Sequence, residues 1–224
     1  MKKINWKKGI LAVSLVSAFT LSTGFSEGEF NLADLKDYTR EFKSESIGAC
    51  SNSSVKTYED YRMITAVGSK QYQHIQNHMT VDETTGFLYD EDGFIGVALA
   101  YSFGEIGSRY YMVLDTGVII PVVKIDAKAA VDASNGCGAN LNNHVIEFVI
   151  DSDKAFQYFG GGKGLASNGN FNNYDCLKGN ILDIERVLDE KIEEGVIYET
   201  FLSDPMKAEV SLDSVKMVEG GYAE

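Results

Sequence analysis

Between residues 86 and 150 the chain alternates short apolar runs with Gly, Asp and Asn, the pattern of strands bounded by turns. Runs at residues 87–88, 94–100, 109–114, 118–125 and 145–150 predict strands, and Asp115-Thr116-Gly117 predicts a hairpin turn between the third and fourth. Upstream the period is longer. Leu32, Leu35, Tyr38 and Phe42 recur at three- and four-residue steps behind an Asn31 N-cap, and residues 69–80 predict a short helix. Downstream of Ile150, Asp151 or Ser152 caps a helix that carries Ala155, Phe156 and Phe159. Residues 160–169 are a glycine-rich loop, and residues 179–194 fit either a helix or a terminal strand. The pattern predicts a mainly β or α+β single domain.

The first residues read as an export signal. Lys2, Lys3, Lys7 and Lys8 precede an apolar run of about a dozen residues, against about 20 needed to span a bilayer. The expected organisation is a signal peptide over residues 1–26, a helical extension over 27–85, a β domain over 86–188 and an acidic tail over 189–224. Four of the 20 basic residues and none of the 33 acidic ones lie in the signal, so removal leaves 16 against 33 and a net charge near −17. Such a surface excludes nucleic acid and, once the signal is gone, a membrane, because both need clustered cations. The expected location is outside the cell or at the cell wall. Export permits a disulfide among Cys50, Cys137 and Cys176; Cys137 with Cys176 is the expected pair, although spacing leaves all three pairings open.

Two acids interrupt the apolar strands. Asp126 follows Val122-Val123-Lys124-Ile125, and Glu147 sits within His144-Val145-Ile146-Glu147-Phe148-Val149-Ile150. A carboxyl among apolar neighbours is costly to bury charged. It either points outward from a half-exposed strand or is held protonated as a general acid, as glycosidic cleavage requires. His74 and His78 share one helix face without the acid of a zinc-protease motif, so no metal or other cofactor is expected. His144 lacks a nucleophile elbow, and Cys137 has no basic neighbour.

The order of elements over residues 96–160 resembles a double-psi β-barrel of the three-aspartate kind. Those are secreted cell-wall proteins of Gram-positive bacteria, related to the barrel of lytic transglycosylases. In that family a strand ending in Asp-Pro precedes a short turn and the next strand; here Val97-Ala98-Leu99-Ala100-Tyr101 precedes Glu105-Ile106-Gly107-Ser108-Arg109. The second family aspartate matches Asp126. The third matches Glu147 in Ile146-Glu147-Phe148, ahead of a helix ending at Phe159-Gly160. The chain departs at the first aspartate, which falls on Ala100, at the third, which is Glu, and after Asp126, where Ala127-Lys128-Ala129 stands. With Lys56-Thr57-Tyr58-Glu59-Asp60, the segment is also similar to uncharacterised exported proteins of Firmicutes.

The resemblance implies a six-stranded double-psi β-barrel with an N-terminal helical extension and a C-terminal acidic tail. It further implies a peptidoglycan-cleaving enzyme of lytic transglycosylase or muramidase type, with Glu147 as acid and then base and Asp126 orienting it. Tyr101, Tyr110 and Phe171 would offer sugar-stacking surface. The alternative is a non-catalytic module binding cell wall or a cell-envelope protein.

Overall fold

A computed structural model describes residues 31–159 and 171–192. The expected signal peptide, the glycine-rich loop and all but the start of the expected acidic tail lie outside the described residues.

Among the described residues the fold is mainly β, a mixed sheet of nine strands with two α-helices. In chain order these are β1 (Phe42–Ser46), β2 (Thr57–Asp60), α1 (Lys70–His78), β3 (Thr80–Val81), β4 (Leu88–Tyr89), β5 (Ile95–Leu99), β6 (Arg109–Leu114), β7 (Ile119–Ala127), β8 (Glu147–Ile150), α2 (Ser152–Phe159) and β9 (Ile181–Lys191). The sheet runs β1-β9-β6-β7-β5-β4-β3, while β8 lies against β5 and carries β2 on its other side. β5 is parallel to β7 and antiparallel to β8, and β2 is parallel to β8. Among the described residues, no helix is long and apolar enough to cross a membrane.

The segment expected to be a helical extension contributes three short strands, β1, β2 and β3, to the sheet. Residues 32–36 form one short 3-10 helix, capped by Asn31, whose side chain accepts from the Ala33 amide at 3.1 Å. Phe42 then opens β1, so the three- and four-residue spacing does not continue as a helix. Only α1 fulfils the helical expectation, with the Ser69 hydroxyl capping the Tyr72 amide. The ambiguous region 179–194 resolves as strand β9. Paired with both β1 and β6, it gains two ladders of hydrogen bonds that a helix would forgo.

Strand pleating sorts β5 between two cores. Ile95, Val97 and Leu99 join a large cluster with Phe87, Met112, Ile120, Val122, Phe148, Phe171 and Ile184. Ala98 faces a smaller one with Phe42, Ile75, Phe94, Tyr111, Ile125 and Val149. The β6–β7 hairpin turns at residues 115–117, where Gly117 has φ 86°, a conformation that glycine adopts without penalty. Pro121 is tolerated in central β7 because pairing with β5 begins only at Val122, so its missing N–H removes no bond on that side.

Candidate active site: a ring of acids around Ala98

Ala98 of β5 is the pivot of the site. It is in register with Glu147 of β8 on one side and with Asp126 of β7 on the other. The β5–β7 register slips between Val97, which meets Lys124, and Ala98, which meets Asp126. Ile125 is thereby the extra residue of a bulge, and bulges re-aim the side chains beside them. The two acids singled out in the sequence therefore flank one small side chain.

β2 adds a third acid. Its parallel register places Thr57 opposite Glu147 and Glu59 opposite Val149, so Thr57 and Glu59 share the face that carries Glu147. The end of β2 is pinned by Asp60, whose carboxylate accepts from Arg62 and from the hydroxyl and amide of Ser152 at the start of α2.

The remaining groups arrive on the loop between β7 and β8. Lys128 at its start donates Nζ to Glu147 Oε2 at 3.1 Å, and both are largely removed from solvent. His144 at its end places Nε2 3.7 Å from the same oxygen, within ion-pair reach but too far for a hydrogen bond. His144 Nδ1 contacts Asn142 Oδ1, fixing the ring. The loop is closed on itself by bonds from the Ala139 amide to His144 O and from the Asn143 amide to Ala139 O. Asn143 occupies the left-handed region at φ 59°, and no side chain would fit at Gly138, where a Cβ would stand 2.5 Å from Asn143 O.

A disulfide between Cys50 and Cys137 ties this loop to the segment before β2, reinforced by paired hydrogen bonds between Ser51 and Asn143. This corrects the expected Cys137–Cys176 pair. Cys176 is the free thiol, and burial pushes its pKa up. The two loops chosen for that pair precede and follow β8 in the chain, whereas Cys50, Ser51 and Ser53 lie directly on residues 137–143 of the site loop.

The acids divide by charge. Burial drives Glu59 up, and the Asp126 and Glu147 carboxylates and a hydrogen bond with Asp126 drive it further, to about 8, with Lys128 opposing. A hydrogen bond between two carboxyls, Glu59 and Asp126, requires a proton, and the raised Glu59 supplies it. Glu147 behaves oppositely. Burial raises it, but His144 and the Lys128 ammonium outweigh burial and take it down to about 2. Burial lowers Lys128, with Glu147 resisting. The expectation that Glu147 is held protonated is thus corrected: a buried cation was missing from the sequence argument. The protonated carboxyl at neutral pH is Glu59. Among the described residues, no three His, Cys, Asp or Glu side chains form a metal-holding group.

The aromatic expectations divide. Tyr110 is fully buried and its hydroxyl donates to Phe103 O, and Phe171 is fully buried among Tyr58, Phe87, Phe148 and Phe159. Neither can present a face to a sugar. Tyr101 is 56 % exposed and packs beside Gly136 of the site loop. His74 and His78 do share a helix face, with ring centroids 4.9 Å apart, but they line a separate groove of about 760 Å³ with Arg109 and Arg186 that shares no residue with the acid ring.

Glu59 was missed because Thr57-Tyr58-Glu59-Asp60 has one apolar residue and no strand signature. The only signal was weak, a polar alternation beside Tyr58. Lys128 was visible as a departure from the family pattern, without its role. Comparisons with protein families, curated proteins and solved structures find no match to this chain.

Proposed function

We propose that this is an exported cell-envelope protein that cleaves the glycan strands of peptidoglycan, with Glu59 as general acid and Glu147 as the charged partner. The observation that carries this reading is the opposed ionisation of two carboxyls on one sheet face, Glu59 up to about 8 and Glu147 down to about 2. Glycosidic cleavage needs one proton donor and one carboxylate at the same pH. Glu59 protonates the leaving oxygen. Glu147 opposes the positive charge that grows at the sugar carbon, and Asp126 accepts the Glu59 proton's hydrogen bond and holds the acid in place. Tyr101, exposed beside the site loop, is available to a sugar ring.

The finer fold reading, a double-psi β-barrel, is supported by two parallel pairs, β2 with β8 and β5 with β7, joined through the antiparallel β5–β8 pair. In the resemblance Ala100 stands where an acid is lost. Glu59 restores a third carboxyl from a different strand, which supports an active rather than a vestigial site. The alternative, a module that only binds cell wall or an envelope protein, is favoured by the separate groove of about 760 Å³ lined by His74, His78, Arg109 and Arg186.

The test is incubation of purified sacculi with wild type, Glu59→Gln and Glu147→Gln, followed by mass analysis of released fragments. Soluble muropeptides from wild type, with both variants reduced by on the order of 100-fold or more, support the enzyme. Binding without products identifies the module instead.

A further inference from the structure

Two buried polar atoms at the acid ring, Thr57 Oγ1 and His144 Nε2, have no hydrogen-bond partner in the protein. Buried polar atoms are rarely left so, and a polar position with two to four partners is where a protein holds water. The β2–β8 register and the end of the site loop set both residues beside Glu147. Thr57 is directly opposite Glu147 across the β2–β8 ladder, and His144 Nε2 stands 3.7 Å from Glu147 Oε2. His144 is only 8 % exposed, so solvent does not satisfy it. Its Nδ1 faces the Asn142 side-chain oxygen Oδ1, an acceptor, which places a proton on Nδ1, so that the neutral form of the ring carries its lone pair on Nε2. Thr57 supplies a donor, His144 an acceptor and Glu147 a second acceptor, a complement that matches one water molecule.

We infer that Thr57, His144 and Glu147 hold the attacking water, so that the reaction is hydrolysis rather than internal elimination. This rests on the glycan-cleaving reading above and specifies its chemistry. In the step, the Glu59 proton passes to the glycosidic oxygen as the C1–O bond breaks. The water oxygen forms a new bond to C1, and its proton passes to His144 Nε2. The Thr57 hydroxyl orients the water by donating to it, and the Glu147 carboxylate stabilises the imidazolium formed beside it. His144 then releases its proton to solvent and Glu59 regains one. The products are a free hydroxyl on one fragment and a reducing sugar on the other. Internal elimination would instead leave an anhydro end and need no water site.

Sacculi digested by the wild-type protein in ¹⁸O-water decide the matter. The expected result is reducing-end fragments carrying one ¹⁸O. Thr57→Val and His144→Gln should each slow release by on the order of 100-fold, while Thr57→Ser restores most of the rate. Melting curves show whether the variants remain folded, and the isotope result on wild type stands without them. Anhydro ends without ¹⁸O overturn this inference and leave the glycan-cleaving function intact. No release by wild type overturns both. Full activity of a folded Thr57→Val with His144→Gln double variant also overturns the water site.

Discussion

Lys128 Nζ lies 3.1 Å from Glu147 Oε2, and this contact decides which carboxyl of the site carries the charge. Without it and His144, burial would push Glu147 up beside Asp126, and three acids would compete for one environment. With it, Glu147 is ionised, and its negative charge helps keep Glu59 neutral. The ion pair therefore does more than compensate its own burial: it separates the two roles that acid–base catalysis needs.

The pH profile follows from that separation. Glu59 must be protonated, so kcat/KM falls as pH rises through about 8. Glu147 must be ionised, and its value near 2 keeps that requirement met well below pH 4. The expected profile for turbidity loss of dilute sacculi has a basic limb near pH 8 from Glu59 and no acid limb from Glu147 above pH 4. A limb near 4.5, where an unperturbed glutamate titrates, would assign the charged-partner role to a carboxyl other than Glu147.

Replacing Lys128 with Met shifts both limbs upward. Glu147 returns toward the ordinary carboxyl range, and Glu59 loses the one cation that lowers it. If Glu147 rises to about 4.5, the ionised fraction drops about fourfold at pH 4 and about tenfold at pH 3.5, and the rate drops with it. Lys128→Arg should retain the wild-type limb. Carbon-13 NMR titration of the glutamate carboxyls provides the same answer without substrate, and an unchanged Glu147 titration would remove Lys128 from the account.

The sequence exposed some of this and hid the rest for identifiable reasons. Asp126 and Glu147 stood out because each interrupts an apolar strand, and apolar runs report burial directly. Their meeting at Ala98 depends on strand order and on a bulge, which no local pattern encodes. Glu59 was hidden because β2 is four residues long and is a strand only by virtue of β8, some 90 residues away in the chain. Tyr110 and Phe171 illustrate the converse. An aromatic side chain has the same apolar character in a core as on a sugar platform, and only burial separates the two. The resemblance located Glu147 but not its charge, because charge is set by Lys128 and His144 arriving from the ends of a loop.

Glu59 also makes the fold pH-sensitive. Its folded pKa is raised to about 8 from an ordinary 4.5, so its favourable contribution is complete below 4.5 and is lost as pH rises toward 8. Glu59→Gln keeps a neutral group that can still donate to Asp126. Its melting temperature should match wild type near pH 4 and exceed it at pH 7.5. A gain of about 1–2 kcal/mol would appear as roughly 2–8 °C in a domain of this size. Such a gain, coupled with lost activity, is the expected signature of a group strained for function. Equal melting temperatures at both pH values would show that Glu59 ionises normally.

The disulfide should matter to stability and to catalysis alike. Cys50 and Cys137 are 87 residues apart, and cross-linking a loop of that length restricts the unfolded chain by about 4 kcal/mol. The Cys50→Ser, Cys137→Ser double variant is expected to melt roughly 10 °C lower. The bridge also fixes the loop whose two ends deliver Lys128 and His144, so the variant should lose activity at temperatures where it remains folded, with the acid limb of its pH profile moving up as in Lys128→Met. Denatured, unreduced wild type should show one titratable thiol, Cys176, and peptide mapping should recover Cys50 joined to Cys137. A Cys137–Cys176 peptide would break the link between this loop and β2, and with it the placement of Lys128 and His144 against Glu147.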